Sequence, residues 1–246
     1  MFAVRLIIVV LLTPALRASA ASDDFWIVAL SKRDIATIER LVARGAEINR
    51  ATDDGFTALM LAVRERQQPL VGILLDRGAK ADAQNSRGGT ALMYAATAGD
   101  IQTVELLLEH GASLNVRAAN GWTALTLAAS GGHRAIVHTL LTRGADPNIA
   151  DIYGWTPLMR AVEQNRPDAI GALLSSEKTD ANARDENGQT ALHHAAAQGH
   201  IEIARMLIAA GAARQSRDRS GRTPASIARA SGHPAVAKLL ESGVGR

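Results

Sequence analysis

The sequence contains no cysteine. That excludes disulfides, thiolate metal sites, a cysteine nucleophile and a lipid anchor on cysteine. It leaves the compartment open, because an oxidising space also accepts a cysteine-free chain. Aromatic residues are scarce, 3% against 47% hydrophobic residues in all. Ala, Leu, Ile and Val carry the apolar mass, which suits close helix packing better than a β-sandwich. An excess of one charge is lacking too. The 27 Lys and Arg face 24 Asp and Glu, and two of the basic residues, Arg5 and Arg17, lie in the first twenty positions. With no basic stripe, a solvated surface of mixed sign is expected and nucleic acid is not an expected partner.

Motifs of chemistry are missing as well. There is no Gly-x-Ser-x-Gly nucleophile turn and no Gly-rich phosphate loop closing on Lys-Ser/Thr. Asp53-Asp54 and Asp185-Glu186 lack the spacing of a calcium loop. His193, His194 and His200 are close in sequence, but no carboxylate or further ligand accompanies them at metal-binding spacing. The chain is therefore expected to be non-catalytic and to need no cofactor or metal.

A long apolar run occurs once. Met1 to Ala20 reads MFAVRLIIVVLLTPALRASA, with Arg5 ahead of the unbroken run Leu6 to Leu12 and Ala18-Ser19-Ala20 behind it. A positive start, an apolar middle and a small-x-small close are the parts of a secretory signal peptide. The run is short for a bilayer core of ~30 Å, and Pro14 and Arg17 interrupt it. Cleavage after Ala20 and a mature chain free of the membrane are expected. No Asn-x-Ser/Thr acceptor is present, which fits a periplasmic protein, with export beyond the periplasm as the alternative.

What fills the rest is a repeat. Gly-x-Thr recurs at Gly55-Phe56-Thr57, Gly88-Gly89-Thr90, Gly121-Trp122-Thr123, Gly154-Trp155-Thr156, Gly188-Gln189-Thr190 and Gly221-Arg222-Thr223, the threonines stepping by 33, 33, 33, 34 and 33. An Ala-rich stretch follows each threonine, then a second apolar stretch such as Ile101 to Leu108. Most units close on Gly-Ala, as at Gly78-Ala79, Gly111-Ala112, Gly144-Ala145 and Gly211-Ala212. Each part has a mechanical reason. Threonine caps the free N–H groups of a helix start, and Pro157 and Pro224 stand where a helix tolerates proline. Alanine lets helices approach, the Leu pairs fill the space between layers, and glycine ends the second helix. Asp54-Gly55, Asn120-Gly121 and Asn187-Gly188 favour tight turns between units.

These units resemble ankyrin repeats, a family with a 33-residue period and a Thr-Pro-Leu-His-x-Ala signature. Thr190-Ala191-Leu192-His193-His194-Ala195 is a near copy, and Thr156-Pro157-Leu158-Met159 is another. The resemblance runs from about Asp24 to the end and implies an all-α solenoid of paired antiparallel helices with projecting hairpin-like turns. About seven units are expected: 24–51 as an N-terminal cap, 52–84, 85–117, 118–150, 151–184, 185–217, and 218–246 as a C-terminal cap. Phe25 and Trp26 are expected to seal the first end, and Arg229 marks a polar outer face at the last. One unit departs from the pattern. Leu173-Leu174 is followed by Ser-Ser-Glu-Lys-Thr-Asp, which reads as a tolerated surface insertion.

The resemblance also implies that turns and first helices line a concave, partner-binding face. In that register the histidines are structural. Four of the seven mature aromatics, Phe56, Trp122, Tyr153 and Trp155, fall in the turns, and Ile152 joins them. Tyr94 lies on a first helix of the same side. Aromatics with a polar handle are frequent anchors of protein interfaces, so these six residues are the candidate contact set. The expected partner is another protein, bound by a monomeric scaffold. Its role would be to support or protect a periplasmic enzyme, to act as an inhibitor or immunity protein against a toxic one, or to serve as a host-directed effector.

Chain cleavage is open to direct test. The protein recovered from a secreting cell is expected to begin at Ala21 when its N-terminus is read by mass spectrometry; a retained Met1 would make the first segment an anchor.

Overall fold

Thr57, Thr90, Thr123, Thr156 and Thr223 each begin a helix in the same way. Each has an extended backbone, and its hydroxyl accepts the N–H three residues on, at 3.2–3.4 Å. This is the capping geometry that serine and threonine favour. At Thr190 the His193 ring accepts the threonine N–H at 3.1 Å. The computed structural model describes residues 26, 28, 29, 32, 34–43 and 47–242. The first twenty residues, Phe25 and the end after 242 lie outside the described residues.

Among the described residues thirteen helices with defined bounds follow in order. Helix α1 spans Ile35–Ala43. The first helices of the later units are α2 (Ala58–Arg64), α4 (Ala91–Ala98), α6 (Ala124–Gly131), α8 (Pro157–Glu163), α10 (Ala191–Gln198) and α12 (Pro224–Ala230). The second helices are α3 (Gln68–Asp76), α5 (Ile101–Glu109), α7 (Arg134–Thr142), α9 (Pro167–Leu174), α11 (Ile201–Ala209) and α13 (Pro234–Glu241). Each first helix packs on its own second helix and on the first helix of the next unit, and second helices pack in a parallel row. Among the described residues the only β-bridge pairs Ala51 with Thr57. The fold is thus the all-α solenoid that the repeat implies.

The core is the seam between layers. Leu59, Leu92, Leu125, Leu158 and Leu192 recur on the first helices and none is more than 1% exposed. Leu74, Leu107, Leu140, Leu173, Leu207 and Leu240 recur on the second helices at 0%. Trp26 is buried in the same core. At the other end Arg229 is exposed and pairs with Glu241.

Two polar rails run along the stack. In the first, successive turns bond backbone to backbone: Ser86 N–H to Asp54 O, Ala119 to Arg87, Ile152 to Asn120, Glu186 to Tyr153 and Arg219 to Asn187, at 2.9–3.3 Å. The turn glycines make this approach possible. A Cβ at Gly121, where φ is +82°, would lie 2.8 Å from the backbone of Asp151 in the next turn. In the second rail, a polar side chain after five of the second helices accepts a backbone N–H of the following unit. Asn49 takes Lys80, Asp82 takes Ser113, Asn115 takes Asp146, Asn148 takes Asp180 and Asn182 takes Ala213, at 2.7–3.0 Å.

The irregular unit is absorbed without breaking either rail. Its stop glycine is replaced by the Thr179 hydroxyl, which donates to Leu173 O at 2.7 Å. Asn148 still spans the join, accepting from Asp180 and donating to Lys178 O at 2.7 Å. The added residue therefore costs a local loop and leaves the layer spacing intact.

Leu107→Ala and Leu140→Ala each remove a fully buried side chain from the seam and are expected to cost ~2–5 kcal/mol. Urea unfolding curves of the two variants check this, and unchanged midpoints would contradict the layer assignment.

Candidate partner-binding surface

Four of the turns are anchored by their first residue. Asp151 Oδ1 accepts the N–H groups of Tyr153 and Trp155 at 2.9 and 3.0 Å. Asp185 accepts those of Asn187 and Gln189, both at 2.8 Å, and Asp218 those of Ser220 and Arg222, both at 2.9 Å. Asn85 does the same for Arg87 and Gly89. All four anchors are buried. Nine residues on, the same unit's first helix offers a partner to three of them: Tyr94 to Asn85, Arg160 to Asp151 and His194 to Asp185. Turn and helix are thereby locked together, which fixes the concave face before anything binds.

The face is most elaborate at the fourth and fifth units. The Asp151 carboxylate is wholly buried and also accepts the Trp122 indole N–H at 3.2 Å. Arg160 forms an ion pair with it and lies between two indoles, its guanidinium carbon 5.1 Å from the Trp122 ring centre and 4.5 Å from that of Trp155. Trp155 in turn packs on His194 with ring centres 4.3 Å apart. Two turns and helix α8 are tied by one carboxylate and one cation. Such cation–ring contacts are worth ~0.5–2 kcal/mol each, more when desolvated.

The six candidate contact residues divide into two kinds. Phe56, Tyr94, Trp122 and Trp155 are half-buried, and Phe56, Tyr94 and Trp155 pack against the core. Phe56 and Tyr94 are a ring pair at 5.7 Å, and Arg64 lies 5.1 Å from the Phe56 ring centre. Ile152 and Tyr153 project from the turn tip, 52% and 58% exposed. Trp122, Ile152, Tyr153 and Trp155 belong to adjoining turns, while Phe56 pairs with Tyr94, which shares a pocket lining with Trp122.

The histidines are held in structural roles. Burial lowers the pKa of His194 despite the neighbouring Asp185, and burial lowers that of His193 despite its contact with Arg222 O. A neutral ring protonated on Nε2 suits both: His194 donates to Asp185 at 3.0 Å, and His193 donates to Arg222 O at 3.3 Å while its Nδ1 accepts from Thr190. Asp185 is engaged there and is no free cation ligand. Among the described residues no His, Asp and Glu converge as a metal site. Burial pushes the Asp218 carboxyl up, but hydrogen bonds from Arg222, Gln189 and Ser220 outweigh it and hold the pKa at about 2.

Sequence reasoning passed over the anchors. Their signal is Asx-x-x-Gly at the repeat period, as in Asn85-Ser86-Arg87-Gly88, Asp151-Ile152-Tyr153-Gly154, Asp185-Glu186-Asn187-Gly188 and Asp218-Arg219-Ser220-Gly221. Arg160 was equally legible, nine positions after its anchor.

The family model described as "Ankyrin repeats (3 copies)" matches residues 25–118, 114–185 and 158–245. Over 52 residues the chain is 48% identical to Ankyrin repeat domain-containing protein 49 of Bos taurus and of Homo sapiens, a stretch covering 21% of this chain and 22% of each of those proteins. The palmitoyltransferase akr1 of Schizosaccharomyces pombe is also 48% identical over 52 residues, which is 8% of that protein. The chain thus spans about a fifth or less of the length of these curated relatives. The crystal structure of the ankyrin repeat domain of Bcl-3, described as a unique member of the IkappaB protein family, superposes with a TM-score of 0.78 at 29% identity. It covers 87% of this chain and 97% of that one.

Asp151→Ala leaves the half-buried Arg160 without its counter-ion and two backbone donors unpaired. It is expected to cost about 3–5 kcal/mol and to change the emission of Trp122 and Trp155, which thermal melts followed by fluorescence will register.

Proposed function

We propose, for a chain that belongs to the ankyrin repeat family, that it is a non-catalytic scaffold binding one protein partner across its concave face. The observation that carries this reading is the pair Ile152 and Tyr153, presented to solvent on a turn that Asp151 has already fixed from below. Exposed large apolar side chains are otherwise limited, among the described residues, to Val28. A rigid tip of this kind binds without first ordering a loop, which lowers the entropic cost of association. The half-buried aromatics beside it add apolar area with polar handles.

The location and role belong to the same proposal. The N-terminal segment supports secretion to the periplasm, where the scaffold would act as a monomer on an enzyme that it supports or protects. Inhibition of a toxic enzyme is the alternative, and survival of a deletion strain in peroxide or beside toxin-producing sisters separates the two. The match to a palmitoyltransferase covers a repeat segment only and lends no support to transferase activity here.

Affinity capture from periplasmic extract, followed by identification of what is captured, tests the proposal. The double variant Ile152→Ser, Tyr153→Ser is expected to keep the native melting temperature and to weaken binding by about 30-fold or more, the cost of losing a hot spot of ~2 kcal/mol. Capture of nothing specific, or capture indifferent to this variant, counts against it.

A further inference from the structure

The row of residues between turn glycine and helix threonine runs Phe56, Gly89, Trp122, Trp155, Gln189, Arg222. These side chains have two recurring tasks. One is to pack on the next unit's first helix, four residues after its threonine: Phe56 on Tyr94, Trp122 beside Arg160, Trp155 on His194. The other is to donate to the next turn's anchor, as Trp122 does to Asp151 at 3.2 Å and Gln189 to Asp218 at 3.4 Å. Between the third and fourth units both tasks go undone. The base residue is Gly89, the anchor position holds Ala118, and the receiving helix position holds Leu127.

What remains is a pocket of about 430 Å³ on the concave face, with Tyr94, Trp122, Met93 and Leu127 in its lining. That volume lies toward the small end of ligand pockets, ~300–1,000 Å³. Its chemistry is one-sided. Gly89, Ala118 and Leu127 carry no side-chain polar group, and the Tyr94 hydroxyl is already engaged by the Asn85 amide at 2.6 Å. An apolar guest therefore meets groups that are mostly apolar or already hydrogen-bonded, the Tyr94 O–H proton excepted. The single charged residue in the lining is Arg87. Arg87 is exposed and belongs to none of the ion pairs among the described residues. Asn120 shares the lining, its side-chain oxygen accepting the Trp122 N–H at 3.1 Å. Its amide NH₂ is thereby suited to a main-chain carbonyl of a guest.

We propose that this slot takes one large apolar side chain from an extended, acidic segment of the protein partner, with a carboxylate beside that side chain meeting Arg87. The guest completes the interrupted row, resting on Leu127 where other units supply their own base residue. The proposal rests on the concave-face reading above and adds the chemistry that the bound segment must have. A polypeptide suits the slot better than a small molecule because the slot is one position in a row of side chains, with neighbours on either side along the face.

The test is a titration of the purified protein, followed by NMR at the Trp122 indole and the Leu127 methyls. The probe is the capped peptide Ser-Glu-Phe-Glu-Ser. Replacing its Phe by Ser is expected to weaken binding about tenfold or more. Replacing both Glu by Gln is expected to weaken it about three- to fivefold, a difference that disappears in Arg87→Gln. Gly89→Trp puts into the slot the residue that the next two units carry there, and is expected to abolish binding in a folded protein; Thr97→Phe fills the same space should that variant not fold. Equal binding of the Phe and Ser peptides, binding that survives both filled variants, or a carboxylate preference that survives Arg87→Gln would overturn the proposal. Phenylpropionate bound as tightly as the peptide would also overturn it, in favour of a small-molecule site. Partner capture that needs Ile152 and Tyr153 but ignores Gly89→Trp overturns this proposal alone. Capture of no specific protein overturns the scaffold reading and this proposal with it.

Discussion

The helices described here run seven to nine residues, below the ~12–15 at which an isolated helix is even marginally stable in water. Contact of each layer with the next therefore supports everything else. A unit has apolar leucines at both its faces and too little chain to cover either alone. Stacking covers both, so stability is a sum over units and their interfaces. The 33-residue step of the threonines is the sequence image of that requirement, because a layer of different size would misalign the leucine seam.

Leucine contact alone would let the layers slide, since apolar attraction has no direction. The two rails supply direction. The loop rail from Asn49 to Asn182 and the turn-to-turn bonds from Ser86 to Arg219 link chain positions about 31 to 33 apart. A buried anchor such as Asp151 carries a large desolvation cost. Here the cost is offset by two backbone donors, an indole donor and a guanidinium. The side chains proposed to face the partner thus also hold the scaffold in shape. Trp122 and Trp155 belong to both tasks, whereas Ile152 and Tyr153 are free of the internal one.

The fold was legible in the sequence because each repeat restates it. Thr57 to Thr223 at a near-constant step, the Leu pairs and the closing glycines placed helix pairs, seam and turns. The candidate site was only half legible. Position in the repeat located Phe56, Trp122, Tyr153 and Trp155 on the turns, but depth is not a property of position. Trp122 and Trp155 lean inward because Arg160 and Asp151 attract them, and that pairing joins residues nine apart in one unit with a ring from another. A polar residue in a turn reads as solvent-facing. Asp151 and Asp185 are buried because turn N–H groups need an acceptor that water cannot reach.

Periodicity also hides its own exceptions. Gly89 looks like an ordinary turn residue beside Gly88, and Ala118 and Leu127 look like ordinary repeat members. The absence becomes visible once the other turns show what a base residue does for its neighbour. A stack of this kind has a simple way to create a recognition site: leave out one internal contact and let a guest make it. The layer can bear the omission because Leu92, Leu125 and the backbone bond from Ala119 to Arg87 still join the third unit to the fourth. Where stability comes from many equivalent interfaces, a single contact can be given up to binding at small cost to the whole, and the site gains the rigidity of the row around it.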